Sequence, residues 1–89
     1  MRDRNLMSGR VLTIYVSQDC PMCRIARDDL ERRRREATHV QVEIVDIADA
    51  PAVDVPAFVF SVPTYVLDGR VISLGNPSPE ILDGILFSD

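Results

Sequence analysis

Apolar segments separated by polar turns organise the chain, and the first two predict a strand followed by a helix. Val11 to Ser17 is rich in β-branched and apolar residues on both alternating faces, which is typical of a strand covered on both sides. From Pro21 to about Glu36 the chain has no glycine and no second proline, and its apolar residues recur every four positions. The stripe consists of Met22, Ala26 and Leu30, widened by Ile25. This spacing predicts a helix with Pro21 as its first residue.

The second half of the chain predicts a strand, a hairpin and a final helix. Val40 to Ile47 first alternates apolar with polar residues and then becomes apolar, which suits a partly exposed strand. Two further strands, Thr64 to Leu67 and Val71 to Leu74, flank Asp68-Gly69-Arg70, a sequence typical of an antiparallel hairpin. Ser78-Pro79 then opens a helix. Its apolar stripe consists of Ile81, Leu82, Ile85 and Leu86.

Residues 48 to 61 fit no single regular element. Pro51 and Pro56 exclude one long helix, whereas Asp49 and Asp54 are suitable caps for short helices, so we expect a short helix here. We interpret Phe58 and Phe60 as core residues, with a position on the rim of a site as the alternative.

The predicted order of elements is β-α-β-α-β-β-α. Two strands joined through a helix should be parallel, with a right-handed crossover, and the terminal hairpin adds an antiparallel pair. We therefore predict an α/β fold, in which helices on both faces of a mixed four-stranded sheet form three layers. At 89 residues the chain is one domain, spanning residues 10–89 after a flexible lead-in at residues 1–9.

Composition restricts the classes of function. Fourteen acidic and ten basic residues, all ten of them Arg, give a net charge of −4, which argues against a nucleic-acid binder that depends on net positive charge. The run from Arg32 to Arg35 is interpreted as a solvated helix end that complements the helix dipole. The polar N-terminus lacks an apolar segment of signal-peptide length, and nothing approaches a membrane span. We expect a cytoplasmic monomer that binds neither nucleic acid nor membranes.

Cys20 and Cys23 are the candidate catalytic residues. Residues three apart on a helix share one face, with Cβ atoms about 5–6 Å apart, near the separation of about 3.5–4.5 Å that a disulfide needs. A small adjustment would therefore interconvert reduced and oxidised forms. Unpaired N–H groups and the dipole at the helix N-terminus favour a thiolate at Cys20. Cys23, one turn further, is better shielded and suited to resolve a mixed disulfide.

Neighbouring charges act on Cys20 in opposite directions, and other uses of the cysteine pair compete with catalysis. Asp19 would raise the pKa of the Cys20 thiol, whereas Arg24 would lower it. A structural zinc site normally needs four ligands, and His39 is the only other soft donor. A purely structural disulfide across so short a loop would constrain the unfolded chain little, and buried inert thiols are a third alternative.

Two motifs stand at the starts of elements: Cys20-Pro21-Met22-Cys23 follows the first strand, and Ser61-Val62-Pro63-Thr64 opens the third. Together with the order of elements, they resemble the thioredoxin/glutaredoxin superfamily, and the likeness covers residues 11–88. The resemblance implies a thiol–disulfide oxidoreductase, with a redox-active disulfide and no other cofactor. It also implies that Pro63 is a cis-proline beside the cysteines. Because a proline that opens a strand leaves neighbouring backbone free, Val62 is suited to pair with an extended substrate. The expected substrate-binding residues are Pro21, Met22, Val62 and Pro63.

The resemblance is divided between two branches that use different electron donors, a reductase or glutathione. Pro21 is typical of glutaredoxins, whereas Pro63-Thr64 is more like thioredoxins. The Lys and the Gly-Gly-x-Asp stretch with which glutaredoxins hold glutathione are absent, and the corresponding loop reads Gly75-Asn76-Pro77-Ser78. Ile14 stands where thioredoxins place a buried acid, so resolution would need another proton acceptor, such as water.

The sequence is also compatible with two alternatives to an oxidoreductase. The cysteine pair could ligate an iron–sulfur cluster or metal shared between two chains, as in cluster-carrying glutaredoxins. The domain could also be a binding module that uses the groove near Pro63 without turnover.

Overall fold

The computed structural model describes residues 10–37, 40–49 and 54–87. The elements are β1 (Arg10–Val16), α1 (Pro21–Arg33), β2 (Val40–Asp46), a 3-10 turn (Ile47–Asp49), β3 (Thr64–Leu67), β4 (Arg70–Leu74) and α2 (Pro79–Phe87). The strands form one mixed sheet in the order β2-β1-β3-β4. The α/β class and the four-stranded mixed sheet are thus confirmed. The expected lead-in at residues 1–9 lies outside the described residues, as does His39.

β1 occupies the centre of the sheet. It pairs in parallel with β2, where Ile14 lies opposite Ile44, and antiparallel with β3, where Ile14 lies opposite Tyr65. β3 pairs antiparallel with β4, and the register of this pair shifts between Tyr65 and Val66. The parallel pair and the antiparallel hairpin are those that the order of elements predicts.

The main core lies between one face of the sheet and both α-helices. β1 contributes Leu12, Ile14 and Val16, which are fully buried. The helices meet this face through the buried residues Cys23, Ala26 and Leu30 of α1 and Leu82 and Leu86 of α2. An ion pair between Arg33 of α1 and Asp83 of α2 joins the two helices directly.

Both described α-helices, α1 and α2, pack against the same face of the sheet. Tyr15, on the opposite face, is nevertheless only 7% exposed. Burial raises its pKa, and the Glu43 and Asp54 carboxylates add to the shift, so the segment that contains Asp54 lies near this face. Where we expected a short helix, the described residues hold the 3-10 turn Ile47–Asp49, and residues 50–53 lie outside them.

Several apolar side chains predicted to be buried are exposed. The interpretation of Phe58 and Phe60 as core residues is wrong, because they are 43% and 79% exposed. Phe58 lies within a turn in which the Val59 N–H donates to the Pro56 carbonyl at 3.0 Å, Phe60 follows this turn, and no strand or helix aligns either side chain with the core. The buried face of each helix is narrower than its predicted apolar stripe. The exposed members of these stripes are Met22, Ile25 and Ile81.

The arginine run is only partly solvated, as its members differ in their contacts. Arg32 is exposed and pairs with Asp29, whereas Arg33 is half-buried and bonds both Asp29 and Asp83. Arg34 donates to the Val42 carbonyl of β2. The run thus also fastens α1 to its neighbours. None of the described helices has both the length and the apolar character needed to cross a membrane.

The turn between β3 and β4 needs two consecutive left-handed residues. Asp68 has φ 52° and Gly69 has φ 85°, as expected of the tight hairpin turn that Asp-Gly favours. The Asp68 carboxylate accepts hydrogen bonds from the Val11 N–H at 2.8 Å and from Arg10 at 3.1 Å. The turn therefore also fixes the beginning of β1.

We predict that Gly69→Ala destabilises the protein by about 1 kcal/mol, because the left-handed conformation is unfavourable for a residue with a Cβ atom. No atom lies within 4 Å of the added Cβ, so a clash does not contribute. Gly84→Ala is the matched control, because Gly84 lies within α2 and a Cβ added there also has no atom within 4 Å. It should stabilise by about 0.5–1 kcal/mol. Urea midpoints measure both effects, and equal shifts in one direction would contradict the turn assignment.

Asp68 should stabilise the fold in a pH-dependent way. The Val11 N–H, assisted by Arg10, lowers its pKa below the ordinary value of 3.8. The contribution is therefore present above pH 3.8 and is lost as the pH falls through the folded-state value. We expect Asp68→Asn to be less stable than wild type at pH 7 and to approach it under acid conditions. A stability difference that stays constant down to pH 2 would contradict this linkage.

Candidate active site

Cys20 caps the N-terminus of α1, at the carboxyl end of the central strand. Its backbone is extended, with φ −134° and ψ 105°, and Pro21 begins the helix as predicted. The Arg24 N–H donates to the Cys20 carbonyl at 3.1 Å, and the Cys23 N–H donates to the Cys20 Sγ at 3.1 Å. The sulfur thus accepts a hydrogen bond from one of the N–H groups that a helix start leaves unpaired. A negative charge on this sulfur is favoured for the same reason.

The two cysteines are paired as a disulfide but differ in burial. Their Cα atoms are 5.1 Å apart. Cys23 is 1% exposed and belongs to the core cluster, whereas Cys20 is partly exposed and packs against the edge of that cluster. A substrate approaching from solvent therefore reaches the Cys20 sulfur first.

The sheet register brings the Pro63 segment to the same edge as the cysteines. Tyr15 at the end of β1 lies opposite Thr64 at the start of β3, so the residues after β1 and before β3 are neighbours. The Val62–Pro63 peptide bond is cis, which confirms the expectation for Pro63. Val62 packs against the core cluster. Among hydrogen bonds between described residues, none uses the N–H or carbonyl of Val62.

Four other predicted site residues, two within the motif and two beside it, lie at the surface. Pro21 and Met22 are exposed, as are Asp19 and Arg24. Ile14 is fully buried beneath this end of the sheet.

A cavity of about 60 Å³ lies beside the buried cysteine. It is lined by Ser17, Gln18, Cys23, Arg24 and Arg27. Its size and polar lining suit one or two water molecules. A water there would provide a proton acceptor next to the Cys23 thiol, where Ile14 supplies none.

Asn76 also belongs to the site, although it lies in neither sequence motif. Its side chain lies between the Tyr65 hydroxyl, at 2.9 Å, and the Met22 carbonyl, at 3.2 Å. The preceding residue, Gly75, donates its N–H to the Pro63 carbonyl at 2.8 Å. The only sequence signal was an amide residue between Gly75 and Pro77, in a loop predicted to follow the last strand.

The described residues contain no group of three or more His, Cys, Asp or Glu side chains arranged to hold a metal ion. The larger cleft, of about 470 Å³, lies between α1 and α2 and is lined partly by Tyr65, Asn76 and Leu82.

The sequence matches a family model described as a thioredoxin domain over residues 10–87. It is 30% identical over 77 residues to a thioredoxin of Methanocaldococcus jannaschii, which covers 85% of this chain and 91% of the relative. The structure is similar to that of a Fasciola hepatica thioredoxin, with a TM-score of 0.70, 20% identity, and coverage of 92% and 83% of the two chains. It is also similar to oxidised mitochondrial thioredoxin 3 of Saccharomyces cerevisiae, with a TM-score of 0.65, 22% identity, and coverage of 93% and 83%.

The family match agrees with the geometry of the site. A Cys-x-x-Cys pair at a helix start and a cis-proline just before β3 lie at the same edge of the sheet. The chain therefore belongs to the thioredoxin domain family, and its cysteine pair makes it a thiol–disulfide oxidoreductase.

Proposed function

We propose that the protein reduces disulfides of proteins or small molecules through a mixed disulfide on Cys20. The observation that carries this proposal is the unequal burial of the two cysteines, with Cys20 partly exposed and Cys23 1% exposed. A dithiol that attacks a substrate needs one reachable sulfur and one shielded sulfur. No specific feature of the described residues favours the cluster-carrier or binding-module alternatives.

The reaction proceeds in two exchange steps. The Cys20 thiolate attacks one sulfur of the substrate disulfide, forms a new S–S bond and expels the other sulfur as a thiolate. The Cys23 thiolate then attacks the Cys20 sulfur, closing the Cys20–Cys23 disulfide and expelling the second substrate thiolate. Two electrons pass from the dithiol to the substrate. The released thiolates take up two protons, which balance those lost by Cys20 and Cys23.

Local groups prepare Cys20 for the attack. The Cys23 N–H, 3.1 Å from the Cys20 sulfur, and the positive end of α1 both favour the thiolate. Asp19 and Arg24 are both exposed and act in opposite directions: Arg24 favours the negative charge of the thiolate, and Asp19 disfavours it. Solvent weakens both charges, so the helix start exerts the larger influence.

The substrate lies against Pro21 and Met22 on one side and Val62 and Pro63 on the other. The N–H and carbonyl of Val62, which bond no other described residue, pair with an extended substrate segment as an added strand. The exposed side chain of Phe60 adds apolar surface two residues before Val62. This arrangement recognises backbone, so it accepts varied substrate sequences.

The two cysteine roles predict opposite results for single substitutions. Cys20→Ser should abolish disulfide reduction, lowering turnover at least about 1000-fold, because no reachable nucleophile remains. Cys23→Ser should still attack but accumulate a mixed disulfide, since the resolving thiol is missing. Insulin reduction measures turnover, and non-reducing electrophoresis with mass spectrometry detects the adduct.

The double variant Cys20→Ser/Cys23→Ser is the control, as it retains the shape of the motif and should trap nothing. Wild-type turnover by Cys20→Ser, or an adduct on the double variant, would exclude Cys20 as the attacking residue.

We further propose a cytoplasmic role in which a dedicated dithiol reductase, rather than glutathione, restores the reduced protein. The chain has no Lys, and the loop after β4 reads Gly75-Asn76-Pro77-Ser78 in place of a Gly-Gly-x-Asp stretch. We predict that thioredoxin reductase with NADPH reduces the oxidised protein faster than glutathione does at equal reducing power. Faster reduction by glutathione would overturn the assignment of the donor and leave the cysteine roles intact.

A further inference from the structure

The side chain of Asn76 connects the redox motif to the core. It lies in the loop between β4 and α2 and is separated from Met22 by 54 residues in sequence. Its two polar ends are both used, one by the Tyr65 hydroxyl at 2.9 Å and the other by the Met22 carbonyl at 3.2 Å. Met22 lies between the two cysteines.

The chemistry of the partners determines which way the amide points. A backbone carbonyl only accepts hydrogen bonds, so the Met22 oxygen has to face the amide nitrogen of Asn76. The amide oxygen then accepts from the Tyr65 hydroxyl. Burial, with the Asp29 carboxylate nearby, raises the pKa of Tyr65 to about 12, so this hydroxyl stays protonated and donates. No other orientation satisfies both partners.

The same loop also holds the Pro63 segment. Gly75 has φ 93°, and its N–H donates to the Pro63 carbonyl at 2.8 Å. The Ser73 hydroxyl donates to the Gly75 carbonyl at 2.7 Å, which fixes the loop from the side of β4. Gly75 and Asn76 therefore join the two halves of the site, the cysteine motif and the cis-proline.

We propose that Asn76 is a positioning residue that holds the first turn of α1 at a fixed distance from Pro63. A carbonyl oxygen has two lone pairs, so Met22 bonds Asn76 in addition to its partner within the helix. In the dithiol form the S–S bond no longer restrains this turn. Asn76 then keeps the Cys23 N–H directed at the Cys20 sulfur, which stabilises the Cys20 thiolate. This inference rests on the proposed function and adds to it a residue outside both motifs.

The test is the reactivity of Cys20 in the reduced Asn76→Ala and Asn76→Ser variants. Neither side chain spans from Tyr65 to Met22, and Ser is the second choice if the alanine variant does not fold. We expect the measured pKa of Cys20 to rise and the rate of reaction with a small aromatic disulfide at pH 7 to fall about three- to tenfold, the range one hydrogen bond supplies. The pH dependence of alkylation with iodoacetamide gives the pKa.

Two further variants separate positioning from general loss of stability. Tyr65→Phe removes the far hydrogen bond but leaves the Asn76 bond to Met22, so it should change the rate less than Asn76→Ala. Val42→Ala removes buried volume in β2, away from the site, and should lower stability without moving the Cys20 pKa. If both folded Asn76 variants keep the wild-type pKa and rate, or if Val42→Ala shifts them equally, the positioning role is wrong.

Failure of this inference would differ from failure of the proposed function. Unchanged Asn76 variants together with an inactive Cys20→Ser variant would remove only the positioning role. An active Cys20→Ser variant would remove the proposed mechanism itself.

Discussion

The site depends on the position of β1 at the centre of the sheet, with hydrogen-bonded neighbours on both edges. The parallel ladder to β2 and the antiparallel ladder to β3 share this strand, so β1 cannot slide without breaking both. The chain that leaves its carboxyl end places Cys20 at the N-terminus of α1, and the register with β3 places Pro63 at the same edge of the sheet. The catalytic geometry is therefore a consequence of strand pairing, and loops need only complete it.

The elements that were predicted well are those whose signals are local. The apolar run of β1, the alternation in β2, the Asp-Gly turn and the prolines that open both helices act within a few residues, and the observed bounds agree closely with the expected ones. The cysteine pair was similarly predictable, because its chemistry follows from its place between a strand and a helix. The cis bond before Pro63 was different in kind, since only the resemblance to a family pointed to it.

The features that were not predicted depend on long-range geometry. An apolar stripe shows that a helix packs somewhere, but not which face of the sheet it covers, so the packing of α1 and α2 on a common face could be learned only from the structure. Phe58 and Phe60 lie in a segment without periodicity, where hydrophobicity alone suggested burial. The bond from Asn76 to Met22 crosses 54 residues, and a single sequence gives no sign of such a contact. Burial and pairing across the chain are thus the information that the structure adds.

The support beneath the motif, which holds no buried charge among the described residues, separates reactivity from folding stability, two properties that are coupled in many enzymes. Ile14 is completely buried, and among the buried residues described here Thr64 is the one polar member. The charges closest in sequence to Cys20, on Asp19 and Arg24, instead face solvent. Substitutions at such surface positions have little effect on folding stability, because they disturb neither packing nor a buried charge, and under the proposed mechanism they act instead on the charge beside Cys20. Related chains can therefore diverge in redox behaviour while they keep the same core.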